Sequence, residues 1–168
     1  MKTTKISTIT AVLLISFFVF SCSEDEVAAP QATKTELLTQ EPWLLDRATM
    51  TPGITYNGLT FTDATMFIQS CVKDNSYTFK LDNTTSMDEG DLKCDSSAQQ
   101  VVDAGTWKFN DDETEILFTD NVDLEGMTLK SLSSKELILT RTEALQDTTI
   151  ESISIPEGDQ TISLYFKH

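Results

Sequence analysis

The sequence predicts an all-β domain, an antiparallel barrel or sandwich of about eight to ten short strands preceded by a short N-terminal helix. Three observations lead to this prediction. Apolar and polar residues alternate with a period of two in many short segments, as they do in half-buried strands. Turn-forming residues separate these segments at a spacing of about 8–12 residues. No long segment after the N-terminal region has the periodicity of an amphipathic helix.

The first 21 residues have the pattern of a signal peptide. Lys2 and Lys5 form a short basic region, and Ile6–Val19 is a hydrophobic run broken only by small hydroxyl residues. The run is too short and too weakly flanked for a stable membrane span. It ends in V-F-S-C, which resembles the lipobox of bacterial lipoproteins, where the cysteine is lipidated and becomes the new N-terminus. We therefore expect a palmitate-type anchor on Cys22, and the alternative is a secreted protein with a leftover thiol.

The mature chain is predicted to begin with an acidic tether, residues 22–34. Ser23–Ala32 reads S-E-D-E-V-A-A-P-Q-A, which is acidic and then small and proline-containing, as in a flexible linker. The run S-E-D-E resembles the export signal of surface-displayed lipoproteins of Bacteroidota. It implies an outer-membrane lipoprotein on the cell surface, and a solvated spacer is the alternative. Residues 35–168 have the length of one domain.

The chain is strongly acidic. Its formal net charge of −15 at pH 7 becomes −17 when the signal peptide is removed with its two lysines. Such a surface argues against nucleic-acid binding, because it has no basic stripe to neutralise phosphates. It also argues against adsorption to anionic lipid headgroups by charge. Membrane attachment should therefore come from the lipid, and several acyl chains on one residue can supply a stable anchor.

The domain is predicted to open with a helix and a strand. Thr35 can cap a short helix that ends before Pro42. The first strand follows, and the residues expected to share one of its faces are Trp43, Leu45, Arg47 and Thr49. Thr51-Pro52-Gly53 reads as a turn.

Short strands dominate the rest of the chain. Asp63–Ser70 is the one later stretch that could form a helical turn or two. The next strands are predicted at Tyr77–Leu81, Thr106–Phe109, Glu115–Thr119, Met127–Lys130 and Glu136–Thr142. A final hairpin is expected to pair Ile150–Ile155 with Thr161–Lys167 across a turn at Pro156–Asp159.

Cys71 and Cys94 are the two cysteines of the predicted domain. They lack C-x-x-C spacing and a nearby histidine, so they cannot complete a tetrahedral metal site. In an exported protein we expect a disulfide between them. By restricting the unfolded chain, this bond should add about 3 kcal/mol of stability.

The sequence offers no catalytic constellation. Its only histidine, His168, is the last residue given, and it contains neither a G-x-S-x-G elbow nor a phosphate-binding glycine loop. Carboxylate clusters at Asp111–Glu113 and at Asp120, Asp123 and Glu125 are conceivable calcium ligands. They lack EF-hand spacing, and solvated turns explain them better. We therefore expect no enzyme activity, no cofactor and no metal.

Several short motifs resemble a known family. Behind a lipobox, a short helix and a tryptophan that opens the first strand, the chain carries C-x-K-D-N-x-Y-x-F, G-x-x-x-C and G-T-W-K. Together these resemble the lipocalin-like domain of Bacteroidota lipoproteins, over roughly Leu37 to Thr142. The residues that carry the motifs are Cys71, Lys73, Asp74, Asn75, Tyr77, Phe79, Gly90, Cys94, Gly105, Thr106 and Trp107. The resemblance implies a lipocalin-like antiparallel β-barrel.

The resemblance also implies a function, which is binding of a small apolar ligand or an extracellular partner without catalysis. The alternative is a structural or accessory envelope lipoprotein whose barrel is packed solid and docks a protein partner. The side chains expected inside are Leu45, Tyr77, Phe79, Trp107, Phe109, Phe118, Met127, Leu129, Leu137, Leu139, Ile162, Leu164 and Phe166. The candidate ligand-binding residues are Tyr77, Phe79, Trp107 and Phe109, with the Tyr77 hydroxyl as the polar contact.

One further pair follows from the resemblance. In lipocalin-like barrels a basic side chain of a late strand often covers the tryptophan of the first strand. Arg141 shares the predicted face of Leu137 and Leu139. We therefore expect its guanidinium to lie over the Trp43 ring at the closed end, and the alternative is that it extends into solvent at a strand end.

Overall fold

A computed structural model describes residues 31–119, 126–145, 148–150, 153–155 and 158–168. Residues Ala32–His168 form one compact unit. Among the described residues the α-helix is α1 (Lys34–Thr39), and the strands are β1 (Trp43–Tyr56), β2 (Leu59–Asp63), β3 (Ser76–Phe79), β4 (Thr84–Asp88), β5 (Val101–Phe109), β6 (Glu115–Thr119), β7 (Met127–Leu132), β8 (Glu136–Leu145), β9 (Thr148–Ile150), β10 (Ile153–Ile155) and β11 (Gly158–Lys167). Two 3-10 turns, Thr65–Phe67 and Ser70–Val72, lie between β2 and β3.

Eight strands close into an antiparallel barrel. Their order around the ring is β1, β3, β4, β5, β6, β7, β8 and β11, and β11 pairs again with β1. The ring closes through seven residue pairs between β1 and β11, from Leu44↔Lys167 to Thr51↔Thr161. Closure leaves no open sheet edge, so every barrel strand has two neighbours. The predicted all-β barrel with a short N-terminal helix is confirmed.

The first strand is longer than expected. The predicted turn at Thr51-Pro52-Gly53 is wrong, because β1 continues to Tyr56. The chain instead reverses at Asn57-Gly58, where both residues have positive φ, and Tyr56 pairs with Leu59 of β2. An Asn-Gly dipeptide is the strongest short-range hairpin signal, and it marks this turn in the sequence.

The predicted final hairpin is also wrong. β11 pairs with β8 over ten residue pairs and with β1 over seven. β10 pairs instead with β9 and with Thr55 and Tyr56 at the far end of β1. The physical reason is closure: the last strand of a barrel must meet the first, and this pairing satisfies both of its edges.

The helix α1 begins two residues earlier than predicted. Thr33, not Thr35, is the N-cap residue. The Glu36 backbone N–H donates to Thr33 Oγ1 at 3.1 Å, and the Thr33 N–H donates to Glu36 Oε2 at 2.7 Å. These reciprocal bonds form a capping box, in which an acidic residue three positions after the cap satisfies the cap's own N–H. The helix buries Leu38 completely.

An apolar core lies inside the barrel. Twelve of the thirteen residues expected inside belong to this core or pack against it, and the exception is Ile162. The prediction omitted Leu38, Trp43, Ile116 and Leu132, which also belong to the core or pack against it. Ile116 lies two residues before Phe118 on the same face of β6, so the period-two pattern already indicated that it faces inward.

A β-bulge in the first strand turns Arg47 and Thr49 away from the face of Trp43 and Leu45, which they were predicted to share. The register between β1 and β11 shifts between Leu45 and Arg47, which inserts one extra residue into β1. Beyond the bulge the buried residues are Ala48 and Met50 instead of Arg47 and Thr49. The Arg47 guanidinium carbon lies 3.9 Å from the centroid of the Tyr165 ring, a cation–π contact on the outer face.

No helix in the described part of the chain is long and apolar enough to cross a membrane.

Candidate functional site

A cavity of about 380 Å³ lies inside the barrel. Strands β3, β4 and β5 contribute one wall, with Tyr77, Phe79, Met87 and Val102. Strands β6, β7, β8 and β11 contribute leucine, methionine and phenylalanine side chains on the other side, and these are Phe118, Met127, Leu137, Leu139, Leu164 and Phe166. The lining is therefore almost entirely apolar.

The cavity exists where the interior side chains are smallest. Thr85 on β4 and Ala104 on β5 both line it. The register between these strands shifts between Thr84 and Ser86, so that Thr85 faces two residues of β5, Ala104 and Gly105. Gly105 has φ +89°, a left-handed conformation that glycine adopts without steric cost. This arrangement is a β-bulge, and it places a patch of small side chains opposite the large ones of β8 and β11.

The bulge also decides which residues of β5 face inward. Val102 and Ala104 line the cavity, whereas Trp107 and Phe109 are outside its lining and pack in the apolar core. Strict alternation from Ala104 would turn Thr106 inward and Trp107 outward. The extra residue at Gly105 reverses the alternation, so both halves of the strand present apolar side chains to the interior.

The closed end of the barrel is sealed by α1 and the start of β1. The Trp43 side chain is fully buried, and its Nε1 donates to the Leu38 carbonyl at 2.9 Å. The ring of His168 stacks on Trp43 with 3.8 Å between centroids. His168 Nδ1 donates to the Pro42 carbonyl at 3.1 Å, which holds the ring in place. Trp43 thus forms part of the cavity lining and connects it to the helix.

Polar atoms in the lining are few. Burial raises the pKa of the Tyr77 hydroxyl. The hydroxyl therefore stays protonated at neutral pH. Thr85 is 4% exposed, and its Oγ1 has no hydrogen-bond partner among the described residues. Asp103 is the one charged residue of the described lining; it is exposed, and its Oδ1 accepts from the Gly105 N–H at 2.9 Å.

Two of the four predicted ligand-binding residues line the cavity. Tyr77 and Phe79 do so, and a role in ligand binding stays a prediction for both. Trp107 and Phe109 face the interior, but they lie further along β5 than Val102 and Ala104 and pack in the apolar core without reaching the cavity. The two rings meet edge to face at 5.4 Å, and Trp107 Nε1 donates to the Lys80 carbonyl at 3.1 Å. Their contacts support the fold.

The expected contact between Trp43 and Arg141 is wrong. Leu44, next to Trp43, pairs with Lys167, whereas Arg141 pairs with Ile162. On β11 the partners Lys167 and Ile162 are five residues apart, which is about 16 Å at a rise of ~3.3 Å per residue. Arg141 forms an ion pair with Glu143 two positions along its own strand, and the imidazole of His168 occupies the place predicted for its guanidinium.

The expected disulfide is confirmed. Cys71 and Cys94 are joined, with 5.1 Å between their Cα atoms. The buried side chain of Asn75 reinforces this connection: with its amide nitrogen facing two acceptors, it donates to the carbonyls of Cys71 and Glu89 at 3.1 Å each. The 3-10 turn before β3 is thereby fixed to the loop after β4.

Other candidate sites add no binding geometry. Asp111–Glu113 forms an exposed turn between β5 and β6. Within the described ranges, no three His, Cys, Asp or Glu side chains are grouped so that they could hold a metal ion. Asp120, Asp123 and Glu125, and also Cys22 with the predicted signal peptide, lie outside the residues that the structure describes.

A comparison with protein families agrees with the architecture. The family model described as a lipocalin-like domain matches residues 42–139, which is more than half of the chain. The match covers β1 to the first four residues of β8 and includes the cavity walls formed by β3–β7. No curated protein matches the chain.

Proposed function

The chain belongs to the family of lipocalin-like domains, and from this we propose that its barrel binds a small apolar molecule without acting on it chemically. A lipocalin-like barrel suggests ligand binding in general. We infer in addition that the domain catalyses no reaction, that its ligand is apolar and that the chain is anchored by a lipid.

The apolar cavity is the observation that carries the proposal. Ligand pockets in proteins have volumes of about 300–1,000 Å³ and are lined mainly by hydrophobic and aromatic side chains with a few polar groups. The cavity here has about 380 Å³, and Tyr77 and Thr85 are the neutral residues with a hydroxyl group in its described lining. A barrel packed solid, which was the premise of the accessory-lipoprotein alternative, does not fit this interior.

The chemistry of the lining supports binding rather than catalysis. General acid–base or nucleophilic catalysis needs side chains such as histidine, cysteine or lysine in contact with the reacting atoms. None of these is among the described lining residues, and their one carboxylate, Asp103, is exposed.

We further propose that the protein is a Bacteroidota-type lipoprotein held on the outer membrane, facing the cell surface, through a lipid on Cys22. This part rests on the hydrophobic run that ends in V-F-S-C and on the acidic S-E-D-E run behind it. Exposure to an extracellular medium would suit a domain that captures an apolar molecule.

A displacement experiment tests the binding function. N-phenyl-1-naphthylamine, an uncharged apolar fluorophore, should gain fluorescence with the purified full chain and be competed off by small apolar compounds but not by sugars. Ala104→Phe, which adds a ring inside the cavity, should reduce the binding at least about tenfold. Ala144→Phe places the same ring at an exposed position of β8 and should leave it unchanged. If Ala104→Phe folds and binds like the wild type, the cavity is not the site.

A further inference from the structure

The sheet continues beyond the barrel at the end away from α1. β1 pairs with β11 of the ring only as far as Thr51. Its last residues pair with β2 on one side and with β10 on the other, and β10 pairs with β9. The strands in the order β2-β1-β10-β9 therefore form a small extension sheet. Tyr56 is thirteen residues beyond Trp43, so about 40 Å of strand separates the far end of this sheet from the closed end of the barrel.

The hairpin of β1 and β2 has an apolar face and a hydroxyl face. Residues that pair directly across two strands point to the same side of the sheet. The apolar face is formed by two such pairs, Ile54 with Phe61 and Tyr56 with Leu59. Thr55 and Thr60 form the pair between them on the opposite face, where their Oγ1 atoms are 3.2 Å apart.

The apolar face becomes exposed at the hairpin tip, residues Tyr56–Leu59. Tyr56 is 46% exposed and Leu59 is 65% exposed, whereas the pair nearer the barrel is partly buried. Asn57 and Gly58 both have positive φ, as in the two-residue turns that fit a twisted hairpin. A tight turn thus holds two large apolar side chains side by side in solvent.

The extension sheet is uncharged, although the chain is strongly acidic. Residues 48–62 are the longest run after Cys22 without Asp, Glu, Lys or Arg, and the strands β9 and β10 also lack these residues. The formal net charge of the whole chain is −15. A charged partner would find no complementary group on this sheet, so its exposed apolar side chains fit an uncharged apolar environment.

A lipid bilayer fits the hairpin tip better than a second copy of the chain. A stable protein interface buries about 800 Å² and about 20–30 residues on each partner. Among the described side chains of the extension sheet, the large apolar ones that are exposed are Tyr56 and Leu59. A bilayer needs no matching surface, and tyrosine is favoured at its interface because the ring is apolar while the hydroxyl stays in water.

We propose that the hairpin tip inserts Tyr56 and Leu59 into the interface of a bilayer with zwitterionic headgroups. The inference rests on the lipid anchor proposed above, because two side chains are too few to hold an acidic chain on a membrane. Thr33, the N-cap of α1, is eleven residues after Cys22 and therefore at most about 40 Å from it. The lipid keeps the domain at the membrane, and the hairpin tip turns the end of the barrel away from α1 toward it.

Tryptophan fluorescence tests the contact. Leu59→Trp in the full chain, reconstituted in phosphatidylcholine vesicles, should lose fluorescence when the acyl chains carry bromine, which quenches on contact. Leu81→Trp is the matched control and should keep its fluorescence. Leu81 is 76% exposed in the turn after β3, and because β3 runs antiparallel to β1, this turn lies at the end where β1 begins. The wild type gives the background from its two buried tryptophans.

Removal of the apolar side chains tests the tip without the anchor. Flotation of Cys22→Ala with phosphatidylcholine vesicles measures the weak partitioning that remains. Adding Tyr56→Ser and Leu59→Ser should lower the partition coefficient at least about tenfold, since each side chain loses its apolar burial in the bilayer. The serines leave the Asn57-Gly58 turn in place. Adding Leu81→Ser instead should change nothing.

The outcomes separate this inference from the anchor on which it rests. A full chain that does not float with vesicles refutes the anchor and the inference with it. A chain that floats without quenching at Leu59→Trp, or a Cys22→Ala partition coefficient that the two serines leave unchanged, overturns the inference while the anchor stands. A dimer in solution that the serines dissociate would also overturn it, in favour of a second copy. Tyr56→Trp, a conservative exchange, repeats the quenching test if Leu59→Trp does not fold.

Discussion

The indole nitrogen of Trp43 donates a hydrogen bond to the Leu38 carbonyl oxygen at 2.9 Å, and both side chains are fully buried. Leu38 belongs to α1, and Trp43 begins β1. The bond therefore attaches the helix to the closed end of the barrel. It also satisfies one of the carbonyl groups that the last turn of a helix leaves without an internal partner.

Trp43→Phe should lower the free energy of unfolding by about 1–3 kcal/mol. The substitution leaves the Leu38 carbonyl buried without its donor and removes part of a close-packed ring system. Urea unfolding followed by circular dichroism measures the change. Tyr56→Phe, at an exposed aromatic position, should stay within about 0.5 kcal/mol of the wild type. Equal stabilities for Trp43→Phe and the wild type would mean that the helix is not attached through this bond.

Removal of the disulfide should cost about 3 kcal/mol. Cys71 and Cys94 are 23 residues apart in the sequence, and the bond stabilises the fold mainly by restricting the unfolded chain. The double variant Cys71→Ser/Cys94→Ser should unfold at a lower urea concentration than the oxidised wild type. Wild type kept in a reducing agent is the matched control and should approach the stability of the variant. A variant as stable as the oxidised protein would contradict the prediction.

Acid should remove a contribution to stability that comes from Asp82. Hydrogen bonds from the Thr84 hydroxyl and then from the Thr84 N–H hold the pKa of this carboxyl below its ordinary value of 3.8. Because the pKa is lower in the folded state than in the unfolded state, the contribution is fully present above about pH 4 and disappears as the pH falls through the folded pKa.

Asp82→Asn keeps an acceptor oxygen but not the charge, so its stability should fall below that of the wild type at pH 6 and match it near pH 2. Asp111→Asn, at an exposed carboxylate for which the described chain shows no hydrogen bond, controls for the loss of one charge. The measurement is the midpoint of urea unfolding at each pH. A difference between Asp82→Asn and the wild type that persists in acid would rule out the linkage.

Cys22→Ala should release the protein from membranes. The proposed anchor is a lipid on this thiol, and the acidic chain would be repelled by anionic headgroups. Fractionation of cells that express the variant should find the protein in the soluble fraction, whereas the wild type sediments with the envelope. Cys71→Ser/Cys94→Ser, which removes the two disulfide-bonded cysteines instead, should still sediment. A Cys22→Ala protein that remained in the pellet would refute the lipid anchor.

The fold was predictable because its signal is local. Alternation in segments such as Tyr77–Leu81 and Glu136–Thr142 identifies strands, and the absence of a long helical period points to a barrel or sandwich. Pairing partners were harder, because β11 meets β1 across most of the chain, from Leu44 to Lys167. Local spacing favours a hairpin between neighbouring segments, and only closure of the barrel decides otherwise.

The cavity lining was predicted only in part, because alternation predicts side-chain direction on regular strands but not beyond a bulge. Tyr77 and Phe79 lie on a regular strand, so the period of two placed them correctly. Arg47 follows a bulge, where a single extra residue reverses inside and outside. Trp107 faces inward as predicted, but it lies further along β5 than the cavity wall at Val102 and Ala104. Thr85 could not be identified from the sequence, since its place in the cavity wall depends on the bulge between β4 and β5.

The bulge at Gly105 makes β5 two half-strands of opposite phase. The first half, Val101–Ala104, contributes Val102 and Ala104 to the cavity wall, and the second half, Thr106–Phe109, contributes Trp107 and Phe109 to the apolar core. Substitutions in the first half can therefore change the size or polarity of the cavity while Trp107 and Phe109 stay packed in the core. Deletion of one residue at the joint would force one half to turn its apolar side chains to water. Gly105 thus separates the residues of β5 that line the cavity from those that stabilise the fold, so that the cavity wall can change in evolution while the core is kept.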